Sequence, residues 1–292
     1  MDEQFVTARE LGKSFDDVAV LDAVSFDVSP GDVVGVLGRN GAGKTTLLEL
    51  VLGFTPASRG SVQVFGHDSY RLPGVAKSRI GFVPQKDELI EQVTAADQIR
   101  IIRSFYKDWD DALTQRLIND WEIDTRKRIR SMSIGQRQKL SILMALGHKP
   151  DLLILDEPVA SLDPIARRRF LEQIVEVTAD GGRAVIFSSH IVSDIERLAS
   201  QIWILRDQHF IWCGESDALR ESVVRVHLHA HKDLPLSLDL PNQLACEVSA
   251  ASATAVVSGW SAELEAQIAQ QTGAQVEVET LSLEDVFLEL HR

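Results

Sequence analysis

Residues 38 to 45 read Gly38-Arg39-Asn40-Gly41-Ala42-Gly43-Lys44-Thr45, three glycines leading into a lysine and a hydroxyl. The chemistry that asks for this pattern is phosphate binding. Glycines let backbone N–H groups wrap an anion without a Cβ in the way. The loop runs from the apolar stretch Val33–Leu37 into the helical pattern Thr45–Leu52, so the positive end of a helix faces the same anion. This is the Walker A phosphate-binding loop. Lys44 is placed to reach the β- and γ-phosphates of a nucleotide, and Thr45 to offer its hydroxyl to Mg²⁺. Gly38, Asn40, Gly41, Ala42, Gly43, Lys44, Thr45 and the following Thr46 are the candidate nucleotide-binding residues.

A second element has the form of a Walker B strand. Leu152-Leu153-Ile154-Leu155 is strand-sized and apolar, and it ends in Asp156 and Glu157. The first acid is positioned for the magnesium shell, the second for polarising an attacking water. A positioned general base is worth about 10²–10⁴ in rate, which makes Glu157 the candidate for chemistry. Together the two motifs predict a P-loop nucleotide hydrolase.

Further landmarks narrow the class. Ser133-Ile134-Gly135-Gln136-Arg137-Gln138 resembles the signature sequence of ATP-binding cassette (ABC) ATPases, whose usual core is Ser-Gly-Gly-Gln. Phe82-Val83-Pro84-Gln85 resembles that family's Q-loop, and Ala160-Ser161-Leu162-Asp163-Pro164 its D-loop. Ser188-Ser189-His190 resembles the switch-histidine loop, and Lys13-Ser14-Phe15 stands where an adenine-stacking aromatic occurs. The order and placement of these landmarks over residues 5–215 match the family.

The resemblance implies roles residue by residue. Gln85 would contact the magnesium shell with Thr45 and Asp156, and His190 would bridge to the γ-phosphate beside Glu157. Ser133, Gly135 and Gln136 would bind ATP held by an opposing subunit, with Asp163 at the dimer seam. Phe15 would stack on adenine. Ile134 departs from the pattern by replacing the first signature glycine. A β-branched residue there restricts the backbone and crowds the approach of a phosphate, which bears on turnover and partner choice.

The elements that must position these residues follow from patterning. Phe5–Leu11, Val24–Val28 and Ser61–Phe65 are β-prone, with a turn at Ser29-Pro30-Gly31-Asp32. Strand character returns at Leu152–Leu155, Ala184–Ser188 and Ile202–Leu205, separated by helical stretches such as Ile165–Val177. Such alternation predicts an α/β fold with a parallel sheet covered on both faces. Residues 87–149 turn helical and charged, an insertion between strands. The resemblance implies a P-loop NTPase ABC cassette: a RecA-like parallel sheet core with an antiparallel β subdomain and a helical insertion. The cassette is assigned to residues 1–215. Residues 216–292 restart with Val223–Ala230, Thr254–Val257, Ser261–Gln271 and Gln275–Thr280, which predicts a small C-terminal α+β appendage.

Bulk chemistry limits the partners. The 292 residues carry a formal net charge of −13, which argues against general nucleic-acid binding. Cys213 and Cys246 lack metal-ligand spacing and read as free thiols in a reducing compartment. The start shows no signal-peptide pattern, and no apolar run approaches the ~20 residues of a membrane helix. Work on a membrane therefore goes through integral permease subunits. The family implies a cytoplasmic subunit, peripheral on the inner membrane face, working as a homodimer or heterodimer on ATP and Mg²⁺. The ending Ser282–Leu290 and the surroundings of Glu157 resemble ATPases of bacterial drug- and antibiotic-export permeases. An importer motor, a soluble ribosome- or DNA-directed ATPase and an ATP-gated clamp are the alternatives. The basic run Arg126–Arg130 reads as a solvated face. His227, His229 and His231 alternate, so a strand would place all three on one solvent-facing side.

Overall fold

Two long strands, Val6–Phe15 (β1) and Val18–Val28 (β2), pair antiparallel from Val6–Val28 to Phe15–Val18, with register shifts between Ala8 and Ser14. The turn joining them, Asp16-Asp17, sits at positive φ (44° and 66°), a conformation that Asp tolerates better than most residues. The computed structural model describes residues 4–179, 181–235 and 237–291. They form two compact units, Met1–Cys213 and Gly214–Arg292.

After Val33–Gly38 (β3) comes the helix Lys44–Leu52 (α1), then the short strands Arg59–Val64 (β4) and His67–Asp68 (β5). One turn of helix, Gly74–Lys77 (α2), leads to Ile80–Val83 (β6). Between β6 and the next strand lie three helices: Ala95–Arg103 (α3), Asp111–Asp120 (α4) and Ile134–Leu146 (α5). The core resumes with Leu152–Leu155 (β7), Pro164–Thr178 (α6), Ala184–Ser188 (β8) and Val192–Leu198 (α7). Gln201–Arg206 (β9) and His209–Glu215 (β10) complete the sheet.

Two sheets result. One is four-stranded, in the order β2-β1-β4-β5, and antiparallel at each pairing. The other runs β10-β9-β3-β8-β7-β6, with β9, β3, β8, β7 and β6 parallel at successive pairings. Strands β3, β7 and β8 are buried at every position, as expected where helices cover both faces. The sheets share a core in which Phe26 packs on Trp203, ring centroids 4.4 Å apart, beside Leu47, Val51 and Ile154. Each fully buried Leu or Ile contributes about 1.5–3 kcal/mol relative to exposure.

Helices in the insertion start at strong caps. Thr94 and Asp97 form a reciprocal capping box at α3, and Ser133 and Gln136 form another at α5, each satisfying two otherwise orphaned N–H groups.

In the second unit a short helix, Ser216–Ser222 (α8), precedes Val223–His229 (β11), Gln243–Ser249 (β12) and Ser252–Ser258 (β13). Ala262–Thr272 (α9), Gln275–Thr280 (β14) and Leu283–Glu289 (α10) follow. The sheet order is β12-β13-β11-β14. Val224, Val226 and Leu228 share a core with Leu264 and Ile268 of α9. His227 and His229 occupy the alternate positions of β11, and His227 Nε2 lies 2.9 Å from Glu279 Oε2. His231 departs from the expectation: β11 ends at His229, and the chain bends away before it. Among the described residues no group of three His, Cys, Asp or Glu side chains is placed to hold a metal.

Candidate nucleotide site

Strand β3 delivers the glycine loop. A Cβ on Gly38 would stand 2.8 Å from the Leu205 carbonyl oxygen of the neighbouring strand, so the close strand approach excludes a side chain there. Gly43 caps α1 at φ 101°, and a Cβ on it would lie 3.0 Å from the Val20 carbonyl. This backbone suits glycine and strains any L-residue. The Ala42 N–H donates to the Arg39 carbonyl at 3.1 Å, closing the loop's turn.

Lys44 is 8% exposed. Its ammonium donates to the Gly38 carbonyl at 2.9 Å and lies 3.7 Å from Glu157 Oε1. Beyond the end of β7, Asp156 is equally enclosed. Its Oδ2 accepts from the Thr45 hydroxyl at 2.7 Å and its Oδ1 from the Ser188 hydroxyl at 2.6 Å. Glu157 is buried and adopts φ 49°, a region that non-glycine residues occupy at a cost of about 1–3 kcal/mol and that clusters at functional sites. Its N–H donates to Ser188 Oγ at 2.9 Å, and its Oε2 lies 2.6 Å from His190 Nδ1. An ionised carboxylate only accepts, so the imidazole proton of that contact belongs on Nδ1.

Of these, Gly43, Lys44, Thr45, Asp156 and Glu157 line a pocket of about 300 Å³ together with Val20, Asn40, Gly41, Thr46 and Gln85, whereas Gly38, Ala42 and His190 lie outside its lining. A larger cleft of about 470 Å³ lies along α4 and α6. Two ion pairs cross it, Asp110 with Lys149 at 2.9 Å and Arg116 with Glu176 at 2.7 Å, and it has no glycine loop. Size alone does not locate the site.

Not every candidate gathers here. Phe15, at the end of β1, is 45% exposed and outside the pocket lining, with the buried Lys13 ammonium 4.7 Å from its ring centroid. Ser133 caps α5, and the Gln136 side-chain oxygen accepts from the Ser133 N–H and from Lys127, both at 3.0 Å. Asp163 caps α6 by accepting from the Ala166 and Ile165 N–H groups at 2.9 and 3.0 Å. The Ala166 N–H is the main reason its carboxyl sits below the usual range. None of Ser133, Gly135, Gln136 and Asp163 lines the pocket of its own chain. Ile134 is 68% exposed. Val20 and Ser188 had no assigned role in the sequence. Val20 reads as an ordinary strand residue, whereas Ser188 carried one signal, a hydroxyl ending a wholly apolar strand.

Chemically, the pocket pairs an anion cradle with a carboxylate held against an imidazole. The Thr45 hydroxyl, the Asp156 carboxylate and the Gln85 side-chain carbonyl are hard oxygen donors on its wall, the ligand type that suits Mg²⁺.

A family model described as ABC transporter matches residues 21–160. The chain is 30% identical over 233 residues to the ABC transporter ATP-binding protein YtrB of Bacillus subtilis (strain 168), covering 80% of each protein. It is 28% identical over 291 residues to the Nod factor export ATP-binding protein I of Burkholderia pseudomallei (strain K96243), covering 97% of this chain and 95% of that one. A solved structure described as the ATP binding subunit of an ABC transporter matches with a TM-score of 0.68 at 27% identity, covering 74% of this chain and 92% of that chain.

Proposed function

This chain belongs to the ABC transporter ATP-binding proteins, and from that premise we propose how its pocket turns ATP hydrolysis into work on a membrane partner. The chain binds and hydrolyses ATP. The observation that carries the mechanism is the buried cluster of Lys44, Asp156 and Glu157 around one pocket walled by the glycine loop.

The triphosphate enters the Gly38–Thr45 loop, and Lys44 exchanges the Gly38 carbonyl for phosphate oxygens. Thr45, Asp156 and Gln85 would hold Mg²⁺, which would supply charge neutralisation to the phosphates when bound. Glu157 accepts a proton from the water whose oxygen bonds to the γ-phosphorus, and the bridging oxygen leaves with ADP. His190 fixes the Glu157 carboxylate through Nδ1–H, and its Nε2 donates to a γ-phosphate oxygen when the ring carries its second proton. Phe15 offers an exposed ring for adenine.

Ser133, Gly135 and Gln136 lie outside their own chain's pocket and serve the nucleotide of a second subunit, with Asp163 at the seam between the two. Closure on ATP and release after hydrolysis then drive integral permease subunits from the cytoplasmic side. Among the described residues no helix is long and apolar enough to cross a membrane. The export direction draws support from relatives named for Nod factor export.

The test is purification of the chain from detergent-solubilised membranes of its source cells. An integral membrane protein that co-purifies and raises the ATPase rate is the expected result. Recovery without such a partner, together with a rate unchanged by added membranes, contradicts the reading.

A further inference from the structure

The Ser188 hydroxyl touches both acids of the site. Ser188 is the last residue of β8 and is fully buried. Its Oγ donates to Asp156 Oδ1 at 2.6 Å and accepts from the Glu157 N–H at 2.9 Å. The β7–β8 register pairs Leu155 with Phe187, which brings the residues that follow them, Asp156 and Ser188, level with each other.

Both bonds answer a local need. At φ 49° the Glu157 backbone has left the strand path, so its N–H requires an acceptor off the ladder, and a buried N–H without one is costly. Asp156 has one oxygen on Thr45, and fixing the other selects a single carboxylate rotation. One hydroxyl thus sets two orientations at once.

We propose that Ser188 is a positioning residue that couples the orientation of the metal-shell carboxylate of Asp156 to that of the catalytic base Glu157. The proposal rests on the roles given above to those two acids. Removing the hydroxyl frees the Asp156 carboxylate to rotate and leaves the Glu157 N–H without its acceptor. Loss of hydrolysis and loss of Mg²⁺ response should therefore appear together.

The variants are Ser188→Ala, Ser188→Thr and Ser188→Val, the last two of matched shape and differing in the hydroxyl. Ser188→Ala and Ser188→Val should lower kcat by about 10- to 100-fold, the scale of a buried hydrogen bond left unmade, while Ser188→Thr retains most activity. An equilibrium readout accompanies this. In a Glu157→Gln background, where ATP is not consumed, displacement of a fluorescent ATP analogue gives ATP affinity with Mg²⁺ and with EDTA. The gain on adding Mg²⁺ should shrink several-fold in Ser188→Ala, with the EDTA value nearly unchanged. Should the threonine and valine variants both fail to fold, the alanine variant alone decides on these two readouts. If Ser188→Ala lowers the melting temperature but leaves kcat and the Mg²⁺ gain at wild-type values, its hydroxyl merely packs and the proposal is overturned. If Glu157→Gln itself turns over at the wild-type rate, the underlying assignment of the base fails instead.

Discussion

Glu157 Oε2 lies 2.6 Å from His190 Nδ1 and 3.3 Å from the His190 backbone N–H. That carboxylate is therefore held by one residue through both ring and main chain, while Lys44 stands 3.7 Å from its other oxygen. Because the ring fixes the carboxylate, His190→Ala should lower kcat by about 10²-fold or more, the range of a positioned proton-transfer partner. Residues that act as a unit are not additive. The double variant Glu157→Gln/His190→Ala should thus be scarcely slower than Glu157→Gln, as read by phosphate release at saturating MgATP. Multiplicative losses would mean that the two work independently.

Gly43→Ala tests the cradle. A Cβ at φ 101° and 3.0 Å from the Val20 carbonyl forces the loop to shift, an incompatibility that costs more than about 1 kcal/mol. Nucleotide affinity should weaken about tenfold, since 1.4 kcal/mol corresponds to a factor of ten. Equilibrium binding of a fluorescent ATP analogue measures this. Unchanged affinity would show that the loop does not wrap the phosphates in this conformation.

Ile134→Gly addresses the altered signature. The isoleucine is 68% exposed at the first turn of α5, so its removal leaves no core cavity. If α5 faces the nucleotide of a second subunit, as proposed, glycine restores room for its phosphate, and turnover should rise several-fold. The helix itself should lose no more than about 1 kcal/mol. A turnover unchanged or lowered in ATPase assays would show that the side chain does not crowd the nucleotide.

His148 gives the chain a stability slope with pH. It is 7% exposed, its Nε2 lies 3.0 Å from the Ile80 carbonyl, and its ring stacks on Tyr106 at 4.0 Å. Burial pulls its pKa below the ordinary 6.5, against the opposing contacts with the Ile80 and Met144 backbones. The unfolded chain then takes up the proton first as pH falls. The contribution of the neutral, buried ring is complete above about pH 6.5 and is lost as pH drops from there towards the lowered folded value. His148→Gln should flatten the decline of urea midpoint between about pH 7 and 5.5, and an identical slope would contradict the assignment.

Much of the cassette was legible because local chemistry dictated it. The glycine loop, the apolar strand before Asp156 and the helix after Asp163 each carry their own signal in residue type and spacing. The antiparallel sheet was harder. Strands β1 and β2 run through charged positions such as Glu10, Asp22 and Asp27, which hid their length. Strand β12, at a sheet edge, alternates Leu244, Cys246 and Val248 with Gln243, Glu247 and Ser249, a short signal that went unread, and neither it nor β10 has a fully buried position. Distances of the Ser188 kind depend on which strands become neighbours, and a single apolar strand ending in serine does not specify that. Arg167 makes the same point. Its Nε lies 2.7 Å from the buried Asp194 of α7, a tie between α6 and α7 that neither local pattern announces.

Glu157 is assigned the hydrolytic step, in a pocket proposed to bind ATP without it. The most direct measurement of that step is a single-turnover quench: excess protein, radiolabelled MgATP, and the fraction converted to ADP over time for wild type and Glu157→Gln. Equal ATP binding is expected, with conversion by the variant at least about 10²-fold slower and intact ATP retained on the protein. Conversion at the wild-type rate would contradict that assignment.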